Sequence, residues 1–489
     1  QSLVNDGVMA SLRTKRPLLD QVVYNSLATG KYADKHGVFG PLEVGSDNSV
    51  RKSDSLSRHT DAVWDILSDN NIRCNVVNFP TTGPAEKING VFVAPSFFET
   101  IPESYQQNFD ISPLSVQPES QLEVLRQFIV TMEDIDAEIM SSFVPRFREL
   151  DTADPRLITI GAATAHTFSI HAVSTWLMEN TSWDAMCVSY DLINFLGRDF
   201  FQYHLTNRGA INETGSEADV NRFRMSVHLF SDVVNAAIKL CDRLLGRMLE
   251  LAGEDASVIV YSPWGIMGNS GIAPSDEATR TTYSESNYRG EGIFLIREPE
   301  MPSDELLHQV GFLDICPTLL RSCGVQAAED IDGFAVQDYA EHKDNGENRP
   351  EAWAYPESTD SPSEFVQTLT RPQVLRFTEP FAEKPARSVE EGNLWTLIAV
   401  QIADDRRDEA LPLLLRLYHA NPLQVQRGYL IVEALQQTGH TREALALMRP
   451  LAVVFADNPV GQFMAGFVAL SQGDFDLAKE MFERAEANN

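Results

Sequence analysis

Val258-Ile-Val-Tyr-Ser262-Pro263-Trp264-Gly265-Ile266 is the stretch whose reading decides how the first two-thirds of this chain folds. Its opening run of β-branched and aromatic residues is too short for a helix, and Pro263 stops it. It therefore reads as a buried strand ending in a turn. Cys74–Phe79, Ala185–Ile193 and Gly292–Arg297 have the same character. Between these runs lie Thr60–Asn70, Gln121–Phe147, Phe223–Ala252 and Leu306–Cys323, whose apolar residues recur at three-and-four spacing and predict helices. Short strands alternating with amphipathic helices place the region in the α/β class. The polar stretch Asn207–Asp219 reads as a surface loop.

The bulk properties exclude several functions. A chain of 489 residues with 43% hydrophobic and 22% charged residues is ordinary for a soluble globular protein. No apolar run approaches the roughly 18–20 residues of a membrane-spanning helix, and the first residues lack the charged-then-apolar layout of a leader. A formal charge of −31 argues against a nucleic-acid partner, which needs a basic surface, and fits a solvated acidic exterior. Five cysteines without a Cys-x-x-Cys pair, mostly inside apolar segments, read as buried thiols of a reducing compartment, so a cytoplasmic location is expected. The sequons at Asn180 and Asn212 carry no weight there.

The chain divides by composition into a domain over 1–340, a polar Pro-rich linker over 341–391 and a helical region over 392–489. In the last part Ala410, Ala444 and Ala478 stand 34 residues apart, as do Asp405, Gly439 and Gly473. A small residue allows close helix approach and a turn residue precedes it, which is the period of about three tetratricopeptide repeats. Such an array offers a concave face for a protein partner, here Trp395 to Asn489.

Four stretches carry a resemblance: Asn25-Ser-Leu-Ala-Thr-Gly-Lys-Tyr-Ala-Asp-Lys-His-Gly37, Thr82-Gly-Pro-Ala-Glu-Lys-Ile-Asn-Gly90, Leu313-Asp-Ile-Cys-Pro-Thr-Leu-Leu320 and Asp330-Ile-Asp-Gly333. Across residues 10–335 the chain resembles the type I phosphodiesterase/nucleotide pyrophosphatase branch of the alkaline phosphatase superfamily, and within it the bacterial subgroup that carries tetratricopeptide repeats. The resemblance implies an alkaline-phosphatase-like central sheet flanked by helices, followed by the all-α repeat array.

It also implies two zinc-class ions roughly 4 Å apart, held by Asp and His, one of them activating a Ser or Thr. At each of those positions this sequence departs. Asp20 stands where the nucleophile is expected. Asn194, Phe195 and Arg198 replace a ligand set in Tyr190–Phe200, Pro263 and Trp264 replace an Asp-His pair, and Tyr288 replaces the last His. Neither Pro nor Trp donates to a metal, and Arg brings a permanent positive charge. The remaining ligand belongs to a first strand that Val4–Thr14 follows; its absence would leave a costly gap in the sheet centre, so an omitted, cleaved or separately supplied segment is expected. His36, His166, His171 and His204 read as structural rather than as ligands.

The leading expectation is therefore a pseudoenzyme: no metal cofactor, Trp264 and Phe195 filling the cavity, and Arg198 paired with Asp20 or Asp191. Such a protein would bind partners through its repeats as a subunit of a larger assembly. The alternative is a metal-dependent phosphoric ester hydrolase with a divergent site. A third reading is a metal-free anion site at Thr29, Lys31 and Arg198, against which stands a loop-shaping role for Thr29-Gly30-Lys31.

Overall fold

A computed structural model describes residues 2–99, 111–204, 217–266, 288–338, 384–420 and most of 462–487, apart from positions 16, 46, 300, 302 and 405. The chain forms two compact units, one of residues 1–38 and 53–348, the other of residues 39–52 and 349–489. The described strands are β1 Val8–Arg13, β2 Leu42–Val44, β3 Val50–Lys52, β4 Cys74–Val77, β5 Phe92–Val93, β6 Val116–Gln117, β7 Ala185–Val188, β8 Val258–Ser262, β9 Gly265–Ile266, β10 Tyr288–Arg289, β11 Glu291–Arg297 and β12 Glu305–Gly311. The helices are α1 Ser2–Asn5, α2 Asp20–Thr29, α3 Ala33–His36, α4 Val63–Asp69, α5 Leu122–Leu125, α6 Ala137–Phe143, α7 Pro155–Asn180, α8 Leu192–Phe200, α9 Glu217–Phe230, α10 Val233–Ala252, α11 Ile315–Ser322, α12 Lys384–Ala403, α13 Arg407–Ala420 and α14 Phe475–Ala487.

The first unit carries two four-stranded sheets, in the orders β12-β1-β11-β8 and β6-β5-β4-β7. In the first, β1 is parallel to β12 and antiparallel to β11, which is antiparallel to β8. Alternation along β1 sends Val8, Ala10 and Leu12 into a core shared with Phe294, Ile296, Val310 and Trp264. In the second sheet β4 is parallel to both neighbours and buried at every residue. Trp64 and Leu67 of α4 cover one face, where they meet Cys74 and Val76; Ile170, Val173 and Leu177 of α7 cover the other, with Val77. A parallel strand covered on both faces has to be apolar throughout, and Cys-Asn-Val-Val nearly is. Its one polar side chain, Asn75, is hydrogen-bonded into the fold through Thr181 and the Val91 amide.

Several sequence readings need correction. Gln121–Phe147 is not one helix: α5 and α6 are separate short helices with 3₁₀ turns between them. The cause is local, because the Asp134 carboxylate accepts from the Thr131 amide and that of Asp136 from the Glu138 and Ile139 amides, restarting the chain each time. The first half of Leu306–Cys323 is strand β12, and the helix there begins only at Ile315. Ala185–Ile193 is strand only to Val188, and Phe223–Ala252 falls into the end of α9 and α10. Neither β1 nor α7 stood among the strand and helix expectations. The hydroxyls of α7 mask its pattern, yet Thr164, Thr167, Ser169 and Ser174 each donate to the carbonyl one turn back.

In the second unit the β2–β3 hairpin, which the sequence reading placed in the first domain, packs with α12, and Asn393 Nδ2 donates to the Leu42 carbonyl at 3.0 Å. Lys384 to Glu391, read as linker, are the first turns of α12. Ala410 and Ala478 are buried, and Gly473 adopts φ 75° just before α14, a left-handed turn that glycine makes without strain. Ala444, Asp405, Gly439, Asn212 and the remainder of the linker lie outside the described residues. Among the described residues no helix is long and apolar enough to cross a membrane, and the five cysteines are free thiols, buried or half-buried.

Candidate functional site

Asp20, Asp191, Arg198, Pro263 and Trp264 lie around the ends of β4, β7 and β8 and the start of α2. β4 stops at Val77, and Asn78 follows in the left-handed region at φ 54°. Its Nδ2 donates to the Ser189 carbonyl at 3.1 Å and to Asp191 Oδ2 at 2.9 Å, stapling the end of β4 to the end of β7. Thr81 also has positive φ, 63°, unusual for a β-branched residue, and accepts from Asn25 Nδ2 at 3.1 Å.

Two carboxyls face this crevice. Asp191 is half-buried, and burial pushes its carboxyl up to about 6; the Asn78 hydrogen bond works against that rise and the charge of Asp20 adds to it. Asp20 opens α2, where the helix dipole suits an acid, and its side chain reaches solvent. The protein walls around it nonetheless raise its carboxyl, while the Arg198 guanidinium pulls it back down.

Arg198 makes its ion pair with Asp199, Nε to Oδ1 at 3.4 Å, rather than with Asp20 or Asp191 as expected. Phe195 does not fill the cavity either: it is 39% exposed on α8, edge-on to His166 at 6.2 Å and 5.8 Å from the Arg198 guanidinium. Trp264 does fill space. It is 5% exposed, packed in the β1–β11 core, and T-shaped against Tyr24 at 5.5 Å. The Pro263 carbonyl accepts from the Thr14 hydroxyl. Tyr288 lies on β10 opposite Ile266 of β9, and α8 reaches that ribbon closely: a Cβ on Gly197 would stand 2.0 Å from Ile266 Cδ1.

Thr29 and Lys31 sit apart from this crevice in their contacts. Thr29 Oγ1 donates to the Asn25 carbonyl at 2.8 Å and accepts from the Lys31 amide at 3.2 Å. Lys31 Nζ pairs with Asp330 at 2.5 Å, and the Asp332 amide donates to the Gly30 carbonyl at 2.9 Å. Gly30 has φ 67°, and a Cβ there would meet Ile331 at 2.9 Å. These are the bonds of a loop latched onto Asp330-Ile-Asp-Gly333. Because Asp330 is largely exposed, Asp330→Asn should cost no more than about 1 kcal/mol in thermal unfolding; a loss several times larger would mean the latch is a keystone of the fold.

The histidines have structural partners. His36 is buried against Ser26 Oγ and the Val38 amide, and burial, with the Arg58 charge adding to it, lowers its ring to about 3. Burial lowers His166 to about 4, and His171 Nδ1 meets the Tyr190 hydroxyl at 2.9 Å. His204 stacks on Phe201 and contacts Asn235. Among the described residues no three His, Cys, Asp or Glu side chains converge as a metal site. The donor set at the strand ends, with Trp264 turned into the core and the Arg198 charge acting on Asp20, does not fit the pair of zinc-class ions that the resemblance implies. Asn78 and Thr81 were not singled out from the sequence; the only signal was an Asn directly after a buried strand, a residue that tolerates positive φ.

Comparison with known proteins adds the following. The family model described as type I phosphodiesterase / nucleotide pyrophosphatase matches residues 1–300. No curated protein matches the chain. Among solved structures, the chain is 8% identical to an alkaline phosphatase PafA mutant, covering 69% of this chain and 93% of that one at a TM-score of 0.42. Human ectonucleotide pyrophosphatase / phosphodiesterase 5 is 12% identical, with 69% and 92% covered and a TM-score of 0.33. A phosphonate monoester hydrolase from Silicibacter pomeroyi is 12% identical, with 72% of each chain covered and a TM-score of 0.33.

Proposed function

We propose, from the premise that this chain belongs to the type I phosphodiesterase / nucleotide pyrophosphatase family, that it keeps the scaffold of a phosphoric-ester hydrolase and works by binding rather than by turnover. One observation carries this reading: the position after β8 that should present a donor to the crevice instead sends Trp264 into the core against Tyr24. Filling that place with an indole stabilises the fold and removes a ligand in the same step. Arg198 supports it, because a fixed positive charge near Asp20 disfavours a second cation there. The repeat region from Trp395 to Asn489 then supplies the docking surface for a protein partner, and the chain acts as a subunit of a larger assembly.

The family match itself favours a second reading, hydrolysis of phosphoric esters. It would use Asp20, whose carboxylate can attack phosphorus only beside a cation that neutralises the incoming phosphate. Turnover of nitrophenyl phosphate mono- and diesters, with zinc, manganese or magnesium added, separates the two. The expected result is a rate for the native chain no higher than that of Asp20→Ala. A rate well above background that Asp20→Ala abolishes would establish hydrolysis and remove the binding reading.

A further inference from the structure

Four of the five cysteines lie in one core, and only Cys241 belongs to another. β4 and β7 run parallel with Cys74 opposite Ala185 and Val76 opposite Cys187, so Cys74 and Cys187 are diagonal neighbours one two-residue step apart. Side chains two apart along a strand share a face of the sheet. Cys74, Val76, Ala185 and Cys187 accordingly pack together with Leu67 of α4 and Leu320 of α11, whereas Val77, Met186 and Val188 line the opposite face. The two thiols are hydrogen-bonded to each other, which raises that of Cys74 and lowers that of Cys187. Cys323, just past the end of α11, packs against the same core. Cys74 opens β4, while the crevice described above lies where β4 ends.

Three chemistries are open to two thiols in contact. A disulfide needs its two Cβ atoms close and facing, and a diagonal pair would have to slip the β4–β7 register to reach that geometry. β4 is buried at every residue and resists such a slip. Zinc takes four ligands, and among the described residues no three His, Cys, Asp or Glu side chains converge. A soft cation content with two thiolates in a line meets neither objection. The sulfur–metal–sulfur bridge is longer than a disulfide, so it spans the diagonal with both strands in place. Thiolate ligands select monovalent copper among the biological metals of that kind.

We infer that Cys74 and Cys187 form a binding site for a single monovalent copper ion, held between their two sulfurs across the β4–β7 pair. Binding replaces two S–H bonds with two S–Cu bonds and releases two protons, and no electron changes hands. The shell of Trp64, Leu67, Val76 and Leu320 offers no oxygen donor, which favours a soft ion over the harder cations that need water or carboxylate. The site is separate from the crevice and holds whether the chain binds or hydrolyses there.

The full chain, reduced and kept under nitrogen, is titrated with monovalent copper against bicinchoninate as the competing ligand. The native chain should retain a single copper ion, and it should melt at a higher temperature when loaded, because the ion binds the folded state. X-ray absorption at the copper edge should show two sulfur neighbours. Cys187→Ser should weaken retention by at least about a hundredfold, the upper end even for residues that only support a metal's ligands. Cys241→Ser, which changes a thiol in another core, should leave retention as it is. No copper kept against the competitor would overturn the proposal. So would three sulfur neighbours, which would bring in Cys323, or a folded Cys187→Ser that holds copper like the native chain. If that variant does not fold, the sulfur count of the native chain decides. Ready closure of a Cys74–Cys187 disulfide by diamide would also overturn it, since the diagonal would then be short enough to bridge directly.

Discussion

Trp264→Ala should destabilise the first unit by about 3–5 kcal/mol, the range for removing a buried large aromatic side chain. The indole is 5% exposed and packs in one core with Leu12, Leu18, Val23 and Phe294. Tyr24 stands edge-on to it at 5.5 Å, so the deletion also strips an aromatic contact worth about 1 kcal/mol. The site cannot collapse easily, because the Pro263 carbonyl is tied to Thr14 and the Trp264 carbonyl accepts from Ser262 Oγ at 3.0 Å. Against a typical total of about 5–15 kcal/mol, a loss of this size is readily seen in denaturant unfolding. A change below about 1 kcal/mol would mean that the ring is not wedged into the core, and the binding reading would lose its main support.

Asp191→Asn should make the protein more stable at neutral pH and flatten its pH dependence in mild acid. Burial raises the Asp191 carboxyl from 3.8 to about 6 in the fold. Between those values the native state binds more protons than the unfolded chain, so stability falls as pH rises. The contribution is fully present below pH 3.8 and lost as pH climbs through 6. A tenfold change in proton affinity corresponds to about 1.4 kcal/mol, and because the group is half-buried the expected gain for the variant at pH 8 is about 1–3 kcal/mol. Asparagine keeps an oxygen to accept from Asn78 Nδ2, so the staple between β4 and β7 survives. Unfolding free energies of both proteins from about pH 4 to pH 8 test this: the difference should grow with pH up to about 6 and then level off. A difference constant with pH would show that Asp191 titrates normally.

Much of the architecture was legible because it rests on local chemistry. Runs such as Cys74–Val77, Val258–Ser262 and Glu291–Arg297 are apolar and β-branched, and they form strands where the pattern says so. β12 was misread because Leu306, Leu307 and Val310 mimic a helical spacing, whereas parallel pairing with β1, almost three hundred residues away, holds them extended. The segment 121–147 was misread because its Thr and Asp side chains take backbone amides that a continuous helix would need. At the site, Asp20 opens α2, Asn194 and Arg198 lie on α8, and Pro263 and Trp264 follow β8. The contacts they make there did not follow from position: Arg198 turned to Asp199, Phe195 to solvent and His166, and Lys31 to Asp330.

The amino-acid sequence by itself determined which side chains follow β4, β7 and β8. That is a matter of covalent identity and of the short-range pattern that makes each strand. Only the tertiary structure decided the state of those side chains: Asp191 lifted to about 6 and Trp264 sunk against Tyr24. Desolvation and ring packing depend on what lies nearby in space, and Tyr24 and Trp264 are 240 residues apart in the chain.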